Sequence, residues 1–210
     1  MPENYSSQSP AYHGVKNAKY SMRTGEEPGT EIKNLAYIKA VSFDPQVNTQ
    51  PIYANDMQVM AVVSDKGYTG NLGVTAQDRV LEKDLGQVVE IDKGQADVNL
   101  IGFRRLDLYY EYTEHTQSGV PYTVKVWALN LEVGKASKSN ETDEDSLKIG
   151  EYQYPITVYG DKIKAATGEA TYRDANGNEL VATRIICLPN DEGYATFDSA
   201  VPAPKMKAEA

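Results

Sequence analysis

The sequence is short of the side chains that carry most enzyme chemistry. Among 210 residues there are two histidines, His13 and His115, and one cysteine, Cys187. The histidines stand in a polar N-terminal segment and in a predicted turn, where neither is well placed as a catalytic base or in a histidine-rich metal site. One cysteine cannot build a disulfide framework, and its apolar surroundings, RIICL (184–188), predict a buried thiol. We therefore expect no cofactor, no metal ion and no enzymatic activity.

Basic residues and long apolar runs are also scarce. The chain has 21 Lys and Arg against 30 Asp and Glu, a formal net charge of −9. A protein that grips nucleic acid needs a basic patch to displace counterions from phosphates, so this balance argues against such a role. No stretch approaches the 18 or more apolar residues of a membrane span. Residues 1–14 lack the basic and apolar regions of a secretory signal. We expect neither a membrane segment nor secretion.

Familiar chemical motifs are missing as well. The sequence contains no GxGxxG, Walker loop, GxSxG or CxxC. The segment DANGNE (174–179) has part of a calcium-loop pattern, but its glycine stands at the fourth position rather than the sixth. A hairpin turn at Asn176–Gly177 explains that segment better.

Strand-like alternation dominates what is present. Tyrosine, which favours pleated surfaces and interfaces, occurs 15 times against 3 Phe and 1 Trp. In 151–159 the alternating residues include Tyr154 and Ile156, and Pro155 predicts an edge or a bulge. The segment 121–133 is apolar on both faces, which predicts a central strand covered on both sides. Further strands are predicted at 34–43, 68–74 and 105–113, and a hairpin at 170–188.

One helix is predicted, over residues 75–86. Thr75 or Asp78 would cap its start, an apolar stripe of Val80, Leu81 and Leu85 would face the core, and Gly86 would end it. One helix against about seven strands predicts an all-β sandwich or barrel with a short flanking α-helix. We divide the chain into an arm (1–14), a β-domain (15–188) and a C-terminal tail (189–210) that we expect to be mobile.

Two segments of the β-domain are candidates for interaction. The long polar excursion 44–67 has an apolar centre, VMAVV (59–63), which would not remain exposed to water. We interpret it as a long assembly loop whose interface residues are Tyr53, Met57, Val59, Met60, Val62 and Tyr68. The second segment, 134–150, is predicted as a hairpin tip with an acidic cluster: Glu141, Asp143, Glu144 and Asp145. Those acids are interpreted as a solvated tip, a cation site, an inter-subunit contact or the lining of a negative channel.

Several local patterns occur together in a characteristic order. They are YAND (53–56), GYTG (67–70), DRVLEKDLG (78–86), the acidic run KSNETDEDS (138–146) and the closing NDEGYATF (190–197). In this order the chain resembles the major tail protein, or tail-tube protein, family of long non-contractile-tailed phages of Gram-positive bacteria. The resemblance covers roughly residues 14–200.

The resemblance implies a β-sandwich of the phage tail-tube type with long assembly loops. It implies stacked, six-membered rings that form a hollow tube in the virion tail, assembled in the cytoplasm of the host. The implied partners are further copies of the chain and the tail-tip initiator, tape measure and tail terminator proteins, while DNA passes through without specific binding. Two alternatives stay open: a carbohydrate- or host-surface-binding β-sandwich module and, less favoured, a small hydrolase.

Overall fold

The computed structural model describes residues 12–54, 57–99, 102–137 and 151–207. In these ranges the chain forms 13 strands, one α-helix and one 3-10 turn. The helix is α1 (Arg79–Asp84) and the 3-10 turn is η1 (Tyr194–Thr196). The strands are β1 (Tyr12–Met22), β2 (Lys33–Asn34), β3 (Ile38–Val41), β4 (Asp44–Ala54), β5 (Met57–Val74), β6 (Val88–Ile91), β7 (Gly94–Asp97), β8 (Arg105–His115), β9 (Pro121–Val133), β10 (Tyr152–Val158), β11 (Asp161–Lys162), β12 (Val181–Ala182) and β13 (Arg184–Cys187).

The main sheet is antiparallel and closes on itself. Its strand order is β2-β1-β8-β9-β10-β5-β3, with β13 pairing to β9 and β4 to β5. The chain from 33 to 41 joins the two edges, because β2 pairs with β1 at Lys33–Asn34 and β3 pairs with β5. The result is a barrel-like all-β fold, and the predicted all-β class is confirmed. In the described ranges, no helix has the length and apolarity needed to cross a membrane.

The strand β9 is the centre of this sheet and is covered on both faces, as predicted. Val124 and Val126 belong to the main core inside the barrel, whereas Trp127 and Leu129 belong to a second cluster on the outer face. Strict alternation would place Leu131 on the same face as Trp127 and Leu129, but Leu131 packs in the main core instead. The reason is a bulge: the register with β8 shifts by one residue, and Asn130 has φ +54°.

The helix α1 packs against the barrel as a flanking helix, as expected, but it is shorter than the predicted 75–86 and one apolar residue differs in position. Asp78 is its N-cap and accepts hydrogen bonds from the backbone N–H groups of residues 80 and 81. Leu81 and Leu85 are each 1% exposed and belong to the main core, and Gly86 follows with φ +71°. Val80, the third member of the predicted apolar stripe, is 59% exposed. Each residue of an α-helix is turned by about 100° from the one before it, so Val80 lies about 100° from Leu81 and about 140° from Leu85, on the face turned away from the core.

Two predicted strands differ in the structure. The segment 34–43 contains a break, because Tyr37 has φ +59°, a conformation that interrupts a strand, and β2 and β3 lie on either side of it. Pro155 does not lie on an edge strand, since β10 pairs with β5 on one side and β9 on the other. Pro155 stands next to Ile156, which forms the end pair with Val133 of β9, and its carbonyl accepts from Gly134 N at 2.8 Å.

The segment after residue 188 packs on the sheet rather than extending away as a tail. Trp127 Nε1 donates to the carbonyl of Phe197 at 2.8 Å, and Phe197 and Val201 pack against the outer cluster. Asp198 receives hydrogen bonds from Lys19 Nζ at 2.6 Å and from Lys125 Nζ at 3.3 Å. This segment covers one face of β9, so the boundary predicted at 188 and 189 does not separate two independent parts.

The hairpin predicted at 170–188 is shorter than expected. Its turn forms, with Gly177 at φ +84° and the Asp174 carboxylate accepting from the backbone N–H groups of Asn176 and Asn178, each at 2.8 Å. The strand β13, near the end of the predicted hairpin, pairs with β9 instead of with the other arm. The predicted turn is therefore correct, and the predicted pairing beyond it is not.

Candidate functional site

The excursion 44–67, predicted to be a loop, is a two-stranded ribbon. The strand β4 pairs antiparallel with β5 from Asp44↔Thr69 to Ala54↔Met57. Within the described ranges β5 meets β10 only over residues 68–74, so residues 44–54 and 57–67 extend beyond the barrel as a pair. We call this pair the ribbon. Strand pairing satisfies the N–H and C=O groups along one side of each strand, which is why the excursion does not remain an irregular loop.

The ribbon leaves the barrel at a tightly fitted glycine. Gly67 has φ +84°, and a Cβ placed there would lie 2.3 Å from the carbonyl oxygen of Val158. Its N–H donates to Asp65 Oδ1 at 2.9 Å, and the ladder between β4 and β5 shifts register at this level. The structure therefore explains the GYTG pattern: only glycine has both the conformation and the space needed at this exit.

Large apolar side chains lie exposed along the ribbon. Tyr53 is 64% exposed, Met57 69% and Met60 59%, and all three were predicted as interface residues. Two unpredicted neighbours join them: Val47 at 54% and Ile52 at 44%. Ile52 is paired directly with Met60, so these two side chains share one face of the ribbon. The result is a surface of apolar side chains without a covering element in the described part of the chain.

The other predicted interface residues have different positions. Tyr68 is half-buried at the base of the ribbon, where its ring meets Phe43 edge-on at 6.5 Å and the Arg184 guanidinium lies 5.2 Å from the ring centroid. It anchors the ribbon to the barrel rather than presenting a free surface. Val62 pairs with Gln50 in the ladder, but the side chains of Val59 and Val62 lie outside what the structure describes.

Neither long edge of the ribbon has a partner strand among the residues that the structure describes. Ser42, two residues before β4, donates its backbone N–H to Asn71 O at 2.9 Å. Along an antiparallel pair the residues bond alternately toward and away from the partner strand, so the even-numbered residues of β4 bond to β5. The odd-numbered residues turn their N–H and C=O groups away from β5. Pro45 and Pro51 are odd-numbered, and proline has no N–H to leave unpaired there. Residues 45–54 and 57–64 contain no charged side chain. An uncharged, apolar, open edge is a surface on which another strand pairs readily.

The described residues that flank the acidic segment lie at the opposite end of the barrel from the ribbon. Glu141, Asp143, Glu144 and Asp145 lie outside the described residues, so their predicted roles stay predictions. The described chain on either side is held by Ser137 N donating to Gln153 O at 3.0 Å. Tyr152 pairs with Val74, whereas the ribbon begins beyond the pair Val158↔Tyr68. Seven residues of β5, roughly 20–24 Å of strand, separate the two levels.

A buried ionic cluster missed by sequence analysis locks one side of the barrel. Arg23 Nη1 donates to Asp107 Oδ1 at 2.6 Å, and Arg23 Nη2 donates to Asp161 Oδ1 at 2.9 Å. Asn130 N also donates to Asp107 Oδ1, at 2.8 Å. Burial raises the pKa of the Asp107 carboxyl, although Asn130 and Arg23 both act to lower it. The three charged residues are widely separated in sequence, and no local pattern indicates their contact.

Beside this cluster lies an open cleft of about 1000 Å³ lined by charges of both signs. Two of its lysines are paired: Lys33 with Asp84 at 2.8 Å and Lys83 with Glu90 at 2.7 Å. The chemistry of the cleft is mixed, without a dominant charge for a ligand to match.

The exposed aromatic side chains do not belong to one element. Tyr37 lies between β2 and β3, Tyr53 in the ribbon, Phe103 before β8 and Tyr159 after β10. A carbohydrate site built on aromatic rings would need several of them on one surface.

The fold and this surface define an all-β, barrel-like protein with a projecting apolar ribbon. No family model matches the chain, and a search of curated proteins finds no match.

Proposed function

We propose that this protein is a structural subunit that assembles with copies of itself, as the tail-tube protein of a long-tailed phage does. The observation that carries the proposal is the ribbon, whose apolar side chains and open edges are covered by no described part of the chain. Soluble monomers rarely leave such surfaces uncovered, and strand edges of this kind favour pairing with another chain. In this proposal the protein has no catalytic role.

Neighbouring ribbons are suited to pairing side by side. Because β4 and β5 run antiparallel, the open edge of β4 in one copy and the open edge of β5 in the next would also form an antiparallel pair. Such a contact joins two different surfaces, so repeated copies form a closed ring or a filament. The ribbon and the acidic segment leave the barrel at opposite ends, which suits head-to-tail stacking of one ring on the next.

The charge balance is compatible with a passage for DNA. With a net charge of −9 per chain, an assembly of many copies would be strongly negative, and phosphates would be repelled rather than bound.

The proposal also includes a virion location, assembly in the host cytoplasm, and tail-tip initiator, tape measure and tail terminator proteins as partners. The number of copies in a ring, six in the family that the sequence resembles, is part of the same proposal.

The decisive experiment compares two exposed apolar residues that differ in position. Met60 in the ribbon and Val80 on α1 are each 59% exposed. The unaltered protein, concentrated and incubated for a long period, should form rings or tubes in negative-stain electron microscopy. Met60→Asp should remain monomeric by light scattering while unfolding at an unchanged denaturant concentration, because it places a charge where apolar contact is needed. Val80→Asp should assemble normally.

Two results would contradict the proposal. One is an unaltered protein that stays monomeric at every concentration and also binds no tail-tip component. The other is a Met60→Asp variant that assembles as well as Val80→Asp, which would remove the ribbon from the interface.

A further inference from the structure

The two histidines of the chain lie side by side. In the ladder between β1 and β8, His13 pairs with Thr113 and Tyr12 with Glu114. His115 is therefore the diagonal neighbour of His13, two residues along β8 on the same face. The centroids of the two imidazole rings are 5.3 Å apart, with the ring planes tilted by 33°. His13 is exposed and His115 is half-buried, so the pair is accessible from solvent.

This separation fits two ligands of one metal ion. Imidazole nitrogens bind zinc at about 2.0–2.1 Å, and two rings bound side by side at a tetrahedral ion then have centroids roughly 5 Å apart. We propose that His13 and His115 form a two-histidine site for a divalent transition-metal ion such as zinc. Each ring needs only one nitrogen for the ion, and the other remains available for a hydrogen bond that orients the ring.

The remaining coordination positions would be open. No group of three or more His, Cys, Asp or Glu side chains suited to a metal lies within the described ranges. Glu114, the nearest carboxylate along β8, belongs to the opposite face and accepts from the Tyr122 hydroxyl at 2.6 Å. Water would therefore complete the coordination of the ion, and the affinity should be modest compared with a four-ligand structural site.

Metal binding would strengthen the start of β1. The ladder shifts register between His13 and Val15, and Gly14 between them has φ +68°, so the first residues of β1 are joined to β8 through an irregular pairing. An ion bound to both rings links the two strands beyond this irregularity. It favours the folded state because the unfolded chain does not hold the two imidazoles together.

The test is a zinc titration followed by the NMR signals of the histidine ring nitrogens. Only two histidines contribute, so the signals can be assigned from single variants. Both should shift together and saturate at one ion per chain, and magnesium, which prefers oxygen ligands, should shift neither. His13→Gln and His115→Gln should each weaken zinc binding at least tenfold. Binding should also weaken as the pH falls, because an imidazole binds a metal only without its second ring proton.

The outcome does not depend on self-assembly, since the Met60→Asp variant keeps both histidines and should bind zinc normally. His13 is exposed, so His13→Gln should fold, and its unfolding midpoint without zinc serves as the control. Zinc that shifts only one of the two histidine signals would overturn the proposal. So would zinc binding of unchanged affinity in His13→Gln, which would indicate carboxylate ligands elsewhere.

Discussion

Replacing Arg23 with methionine is the sharpest test of how the barrel is held together. The side chains of Arg23 and Asp107 are 1% and 0% exposed, and their charges meet at 2.6 Å. Methionine fills much of the same volume but removes the cation, which leaves Asp107 with the Asn130 N–H as its remaining donor to Oδ1. Removing one partner of a buried ion pair typically costs about 3–5 kcal/mol, since the other charge stays buried and uncompensated.

Urea unfolding would measure this loss, with the fluorescence of the single, fully buried Trp127 as the probe. With a slope of about 2–3 kcal/mol per molar urea, the midpoint should fall by about 1–2.5 M. The loss should depend on pH. Burial raises the pKa of the Asp107 carboxyl in the folded protein above its pKa in the unfolded chain. The stability that comes from this difference is present below the unfolded-state pKa and is lost as the pH rises through the folded-state pKa. The variant should therefore recover part of its stability under mildly acidic conditions.

Two further variants separate the possible explanations. Arg23→Met combined with Asp107→Asn removes both charges of this pair, keeps a side-chain oxygen that can accept from Asn130 N, and should regain part of the lost stability because no uncompensated carboxylate stays buried. Lys83→Met removes the exposed pair with Glu90 and should leave the unfolding free energy almost unchanged. A change below about 0.5 kcal/mol for Arg23→Met at neutral pH would refute the reasoning, because it would mean that Asp107 is already protonated or hydrated.

Two other substitutions test the packing around the sheet. Leu85→Ala should lower the unfolding free energy by about 2–5 kcal/mol, since Leu85 is 1% exposed within the main core, and a loss below about 0.5 kcal/mol would show that α1 is peripheral. Asp198→Asn should destabilise the protein at neutral pH but not in strong acid, as measured by urea unfolding across pH. The hydrogen bond from Lys19 is the main cause of the lowered pKa of Asp198. The stability that the ionised Asp198 carboxylate contributes is therefore present above its unfolded-state pKa of about 3.9 and is lost as the pH falls through its folded-state pKa. An equal loss at pH 7 and pH 2 would contradict this account.

Regular periodicity made much of the fold predictable from the sequence. The two apolar faces of 121–133 identified β9 as a central strand, and the alternation in 151–159 placed Tyr154 and Ile156 inside the barrel. The helix followed from Asp78 and Gly86, whose preferences for caps are local. These successes share one cause: each depends on neighbours within a few residues along the chain.

The differences arise where a distant contact decides the local structure. The bulge at Asn130 is stabilised by the Asp107 carboxylate, which accepts from Asn130 N, and by Gly160, whose carbonyl accepts from Asn130 Nδ2 at 3.0 Å. No periodic pattern contains that information. The C-terminal segment was similarly hidden, because contacts with residues far away in the sequence attach it to the sheet: the Phe197 carbonyl accepts from Trp127 Nε1, and Asp198 accepts from Lys19 and Lys125. Such long-range contacts leave no local pattern in the sequence.

The ribbon shows a different limit of sequence analysis. Its apolar centre was recognised as unsuited to water, but its strands were not, because the segment was interpreted as a long polar loop. Pro45 and Pro51 also argue against a central strand. The structure removes the contradiction: β4 is an edge strand, and the N–H groups that these prolines lack would have pointed outward. A sequence that avoids charge on such an edge gives up the usual protection against pairing with other chains. In a protein that functions as a monomer this would be a hazard. In a protein that functions by joining copies of itself the same edge is useful, and this contrast is the physical reason for preferring self-assembly to a monomeric binding role.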